Sequence, residues 1–203
     1  MTIFFDLETI PADEAIVDLV REQFERRSAR PSTYPKKEIT FEEYLHGTSL
    51  DPNFGRILCI GYAIDDQPAL ITHGDSEKEI LEEFWKIAKG ADHIVGHNAV
   101  AFDVPFLWKR SVLNGVKPTL DLMNPDLVHD TMLLWDMSMP RKHTSLDLVS
   151  KLLGIPSSKG QMHGGEVYDY YRTGRLQEIY DYCQRDVVAT RAVYRKLIFD
   201  DNR

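Results

Sequence analysis

The chain has 203 residues, 43% of them hydrophobic and 28% charged, with a formal charge of -8. That size and apolar share suffice for one large core, so a single compact domain over 1–203 is expected, and the acidic balance excludes a protein that coats nucleic acid through bulk positive charge. No apolar run approaches membrane-spanning length, and Met1-Thr2-Ile3-Phe4-Phe5 lacks the basic stretch of a signal or transit peptide, so a cytoplasmic chain without membrane contact is expected.

In chain order, Thr2 to Asp6 reads as a short buried strand ending at a carboxylate. An insertion follows at about 11–52, with an amphipathic helix over Ala12 to Ala29 and a loop from Ala29 to Pro35. Its Arg21, Arg26, Arg27, Arg30, Lys36 and Lys37 read first as a solvated face, with substrate guidance the minor reading. Arg56 to Ile64 is a second strand, paired as a hairpin with Ala69 to His73 through Asp65-Asp66-Gln67-Pro68. Ser76 with Glu79 forms a capping box for a helix to about Lys89. His93 to Gly96 is a fourth strand, and Val104 to Leu113 a helix. Helices are expected over Leu127 to Trp135, Ser145 to Leu153, Gly165 to Arg172 and about Leu176 to Phe199. Along the last, Leu176, Tyr180, Cys183, Val187, Thr190, Tyr194 and Leu197 form one apolar stripe. Strands alternating with helices predict a layered α/β sheet. Cys59 and Cys183 lack metal-ligand spacing and read as small core residues.

Three acidic motifs carry the chemistry: Phe4-Phe5-Asp6-Leu7-Glu8-Thr9, Asn98-Ala99-Val100-Ala101-Phe102-Asp103 and Tyr182-Cys183-Gln184-Arg185-Asp186. Strand alternation puts Asp6 and Glu8 on one face, roughly 7 Å apart at the backbone. Two like charges at the end of a buried strand are costly without a cation, and such oxygen ligands favour magnesium or manganese over zinc. Asp103 falls at a strand-to-helix junction, where Asn98 offers a neutral amide to a phosphate or sugar and Phe102 an aromatic face to a base. His97 reads as a hydrogen-bonded side chain beside the turn rather than a ligand. Tyr182 and Asp186 are four apart on a helix and share a face, one residue off the apolar stripe, at the edge of the packed surface. Four carboxylates and a phenol can thus form a pocket for two divalent cations, suited to phosphodiester hydrolysis.

The set resembles the DEDD, or DnaQ-like, superfamily of 3′–5′ exonucleases. Phe-Asp-Leu-Glu-Thr matches its first motif, Asn-x-x-x-Phe-Asp its second and Tyr-x-x-x-Asp its third. The tyrosine marks the DEDDy branch; the DEDDh branch would carry histidine where Asp181 stands. His143-Thr144-Ser145-Leu146-Asp147-Leu148 and Gly174 to Thr190 further resemble stand-alone exonucleases related to the proofreading domain of family B DNA polymerases. The resemblance implies an RNase H-like fold, with a mixed central sheet flanked by helices. It implies two Mg2+ or Mn2+ ions held by Asp6, Glu8, Asp103 and Asp186, with Tyr182 orienting the attacking water. Leu7, Thr9, Asn98 and Phe102 would hold the terminal nucleotide of a single-stranded DNA, released as a 5′-monophosphate. An RNase D-like exoribonuclease and a non-catalytic nucleic-acid-binding module stay open as alternatives, as does a DNA polymerase or repair protein acting as a partner in trans.

Overall fold

The computed structural model describes residues 1–31, 38–139, 143–157 and 162–200. Lys36, Lys37, most of the loop expected from Ala29 to Pro35, and the last three residues lie outside these. A five-stranded mixed sheet has the order β3-β2-β1-β4-β5, with β1 Thr2–Ile10, β2 Arg56–Ile64, β3 Leu70–Thr72, β4 His93–Gly96 and β5 Val128–Asp130. β1 pairs antiparallel with β2 and parallel with β4, while β4 and β5 are parallel.

The helices are α1 Val17–Ala29, α2 Phe41–Gly47, α3 Glu77–Ala88, α4 Asp103–Leu113, α5 Thr131–Trp135, α6 Leu146–Leu152, α7 Val167–Arg172 and α8 Leu176–Leu197. Alternation along β1 sends Ile3, Phe5 and Leu7 to one face, into a core with Phe84 and Trp85 of α3 and Phe106 and Leu107 of α4. Phe4 goes to the other face, against Val187 and Tyr194 of α8. Helices on both faces of the sheet give three layers, and the mixed central sheet flanked by helices is that of the expected RNase H-like fold. Among the described residues no helix is long and apolar enough to cross a membrane.

Several elements differ from their sequence reading. β1 runs four residues past Asp6, because Leu7, Glu8, Thr9 and Ile10 are all buried and keep pairing with β2, through a register shift between Glu8 and Thr9. The segment 127–135 is not one helix: β5 pairs with β4 first, and only then does Asp130 cap α5. The insertion holds a second helix, α2, opened by a complete capping box of Thr40 and Glu43. At α3 the expected box is half formed. The Ser76 hydroxyl accepts from Glu79 N, but the Glu79 carboxylate turns to Asp75 N.

Two contacts anchor the layers. Glu77, the first residue of α3, accepts from Ile57 N at 2.7 Å, from Arg110 Nε and a terminal guanidinium nitrogen at 2.7–3.1 Å, and from Asn114 Nδ2 at 2.8 Å. α8 crosses β1, β2, β3 and β4, so its buried face is wider than the expected stripe and adds Ile179, Tyr182, Asp186, Ala189 and Val193.

Candidate active site

β1 supplies two carboxylates to the α8 face of the sheet. Asp6 lies opposite Gly61 and Glu8 opposite Cys59 on β2. A Cβ on Gly61 would lie 2.8 Å from Cys183 Sγ and 2.9 Å from a Val187 methyl, so glycine is what lets α8 sit against the strand here. One carboxylate oxygen each from Asp6 and Glu8, with Cys183 Sγ, all lie within 4.8 Å of one another. The thiol donates toward Asp6, 3.6 Å from Oδ2 and 3.5 Å from the main-chain oxygen. Cys183 is fully buried, as expected of a core residue, but it also borders the carboxylates, which its helical spacing did not reveal.

Asp103 arrives from the opposite layer. β4 ends at Gly96, so β1 outruns it and Leu7 N–H has no strand partner on that side. Asp103 Oδ1 accepts that N–H at 3.1 Å, tying the start of α4 to β1 between Asp6 and Glu8. The turn delivering Asp103 is tight. Gly96 could not carry a Cβ without a 2.7 Å contact to Ala99 Cβ, and Asn98 takes a φ of 62°. Asp130, 4% exposed, holds the turn by accepting from Asn98 N and Val100 N on one side and from Met132 N and Leu133 N on the other. Sequence reasoning missed Asp130, although Asp-Thr before Met-Leu-Leu-Trp is an N-cap signal.

The remaining predicted residues fall close by. Tyr182 and Asp186 lie within the buried face of α8 rather than at its edge, at 8% and 9% exposure. A Cβ on Gly164 would lie 3.9 Å from the Tyr182 hydroxyl, and Met162 and Val167 pack on the same cluster as Tyr182 and Cys183, roofing the phenol. The side-chain oxygen of Asn98 is buried with no hydrogen-bond partner among the described residues. Phe102 packs on Phe106 with ring centroids 4.9 Å apart. His97 is held between the Thr131 hydroxyl and the Thr144 carbonyl, both at 2.9 Å, as its reading required. The Thr9 hydroxyl donates to Ser49 O at 2.7 Å and so ties β1 to the insertion. In that insertion Arg21 stacks on Phe41 and Arg27 faces Tyr44, while Arg26 pairs with Glu22. Across from it, His46 meets Tyr168 of α7 edge-on at 5.1 Å, joining the two walls that flank the end of β1.

The electrostatics are those of crowded like charges. Burial pushes the Asp6 carboxyl well above its usual range, and the charges of Asp186 and Asp103 push it further. Glu8 is raised by burial and then by Asp6. Asp103 is pushed up to about 7 by burial, against the pull of the Leu7 N–H and its own backbone N–H. Tyr182 is raised by burial and by Asp186, Glu8 and Asp6, which keeps the phenol protonated. Among the described residues no Lys, Arg or His forms an ion pair with Asp6 or Glu8. A pocket so built can accept cations.

Residues 124–201, which carry the third motif, match the model of a family described as a predicted 3′–5′ exonuclease related to the exonuclease domain of PolB. A DNA polymerase of Archaeoglobus fulgidus is 26% identical over 167 aligned residues, covering 73% of this chain and 21% of the polymerase. The family B DNA polymerase of the hyperthermophilic archaeon Pyrobaculum calidifontis shares the fold, with a TM-score of 0.65 and 19% identity over 97% of this chain and 24% of that one. The chain thus spans about a quarter or less of either polymerase. The chain is thus similar to a PolB-related exonuclease family over residues 124–201, and to DNA polymerases in sequence and in fold over most of its length.

Proposed function

We propose that the protein is a metal-dependent 3′–5′ exonuclease that removes nucleoside 5′-monophosphates from single-stranded DNA. The observation that carries this reading is that the charges of Asp186 and Asp103 bear on Asp6, and those of Asp186, Glu8 and Asp6 on Tyr182, while among the described residues no cationic side chain pairs with Asp6 or Glu8. The donors fit hard divalent cations: carboxylates reach the pocket from β1, α4 and α8, and burial raises the cost of leaving them uncompensated. Asp6, Glu8 and Asp186 would hold such ions directly, with Asp103 behind them. Two bound Mg2+ or Mn2+ ions would supply Lewis-acid activation of water and charge stabilisation on the departing 3′ oxygen.

The chain's own groups do the rest. Asp103, fixed by Leu7 N–H, holds the β1 carboxylates and the start of α4 in one frame. Tyr182 keeps its proton, so it orients the attacking water and does not deprotonate it. Asn98 and Phe102, beside Asp103, flank the space for the terminal nucleotide, and the Thr9 hydroxyl braces the strand end against the insertion. DNA is favoured over RNA because both relatives are DNA polymerases, and a polymerase or repair protein is the fitting partner in trans.

Labelled single-stranded DNA and RNA of one sequence, incubated with Mg2+ or Mn2+ and with excess chelator, test the reading. The expected result is mononucleotide release from the 3′ end of DNA, abolished by chelator. Preferential attack on RNA would make the enzyme an exoribonuclease. Binding without release would make the domain a non-catalytic module, and full activity in chelator would remove the metal role. Tyr182→Phe is expected to lower kcat about 100-fold, the lower end for a group positioned on a proton in flight. Its Mg2+ affinity, read by calorimetry, should be unchanged; a variant with wild-type turnover would remove the phenol from the chemistry.

A further inference from the structure

We propose that Tyr168 and Tyr171 of α7, with Arg172 and with His46 of the insertion, form a stacking rail for the unpaired bases next to the 3′-terminal nucleotide of a single strand. The place of the rail on the route to the carboxylate pocket rests on the proposed function; the stacking itself does not. α7 starts beside the candidate chemistry. Val167 packs on the cluster of Tyr182 and Cys183, and Gly164, three residues earlier, borders the Tyr182 hydroxyl. Tyr168 is the next residue along, and Tyr171, three further on, shares its side of the helix. Their rings are nearly parallel, at 18°, with centroids 6.2 Å apart. A strand whose last nucleotide sits in the pocket leaves it past these rings.

The packing of Tyr168 sets it apart. Val167, Tyr170 and Tyr171 all pack on the core cluster beneath α7, whereas Tyr168 belongs to no core cluster. It is half-buried, and surface groups place its ring instead: the exposed His46 meets it edge-on at 5.1 Å, and the Arg172 guanidinium stands 5.8 Å from its centroid. Neighbours so arranged leave ring surface open, and an aromatic face accepts any base, which suits a strand bound without regard to sequence. Arg172 supplies the charge. It is exposed and among the described residues forms no ion pair, so it is available to a backbone phosphate. The facing wall is fixed to the same strand end, because the Thr9 hydroxyl of β1 donates to Ser49 O, just past His46. The His46–Tyr168 contact thus joins insertion and α7 into one passage at the end of β1. A duplex, whose bases are already paired and stacked on one another, offers such a rail nothing.

Fluorescence titration of the full chain in chelator needs no turnover and isolates the rail. A single-stranded DNA with 2-aminopurine second from its 3′ end should be quenched on binding the parent, and one with 2-aminopurine at its 5′ end should not. Tyr168→Ala should lose the quench and bind the strand about 5- to 100-fold more weakly, the worth of one base–aromatic stack. Tyr168→Phe keeps the ring and should match the parent. An abasic site in place of the second base should cost the parent a similar factor and cost Tyr168→Ala almost nothing more, because both changes remove the same contact. Additive losses, a Phe variant as weak as the Ala variant, or a parent that does not bind the strand in chelator would overturn the rail. With Mg2+ present, the loss in Tyr168→Ala should fall on KM for the strand rather than on kcat, and a loss confined to kcat would also overturn it. If the parent cuts no strand, the proposed function falls, while the quench and the abasic comparison still decide the rail.

Discussion

Asp6→Asn is expected to lose nuclease activity by about 1,000-fold or more and, in metal-free buffer, to melt at a higher temperature than the parent. The first effect follows from the place of Asp6 at the meeting of β1 and α8, where its carboxylate lies within 4.8 Å of both the Glu8 carboxylate and the Cys183 thiol. The second follows from its electrostatics. Burial and the charges of Asp186 and Asp103 raise the Asp6 carboxyl in the folded state above its unfolded value. Between those two values the folded protein binds more protons than the unfolded chain, so stability falls as pH rises through that window. Glu8 and Asp103, the latter pushed up to about 7, act in the same direction. In chelator the parent should therefore lose stability between pH 5 and pH 8, and Asp6→Asn should lose less, because asparagine carries no charge to desolvate. Mg2+ should raise the melting temperature of the parent well above any gain in the variant. Scanning calorimetry across pH with and without Mg2+, beside a nuclease assay, decides both halves. An active variant, or one less stable than the parent in chelator, would show that Asp6 is not part of a cation-seeking cluster.

What the sequence revealed of this site is what local periodicity can encode. Alternation along β1 put Asp6 and Glu8 on one face, and the spacing of four put Tyr182 beside Asp186; both relations hold. The relations it hid are those between elements. That Asp103 would accept Leu7 N–H depends on β1 outrunning β4, and the lengths of paired strands are not written in either strand alone. Cys183 was correctly read as buried, but its approach to Asp6 depends on Gly61 of β2, more than a hundred residues away in the chain. β5 is three residues long, too short for alternation to register, so the helical pattern after Thr131 absorbed it and concealed Asp130. α2 is a different case. Thr40 and Glu43 spell out a capping box, and the signal was present but overshadowed by the charged helix before it. The edge position expected for Tyr182 and Asp186 failed because α8 spans four strands, which buries more of a helix than one stripe.

The scaffold should be most sensitive at a point that bears no chemistry. Glu77 and Arg110, with side chains 9% and 10% exposed, face each other on the layer opposite α8. Glu77 also accepts the Ile57 N–H of β2 and the Asn114 amide, so one carboxylate joins α3, α4 and the sheet. Glu77→Ala would strand a buried guanidinium and an unpaired backbone donor, at a cost of about 3–5 kcal/mol. In a chain of this size that is a fall of roughly 6–20 °C in melting temperature. Glu77→Gln keeps an acceptor oxygen for Ile57 and loses only the charge-assisted part, so it should cost about 1.5–3 kcal/mol. Because the network lies across the sheet from the carboxylate pocket, Mg2+ should stabilise parent and both variants by equal amounts. Activity per folded molecule, measured well below the transition, should stay at the parental level. Denaturation by urea with and without Mg2+ separates the outcomes. A Glu77→Ala protein as stable as the parent would mean that solvent reaches Arg110 and the network is ornamental. A variant that lost its response to Mg2+ would mean that α3 and α4 set the carboxylate geometry directly, through Asp103 at the first turn of α4.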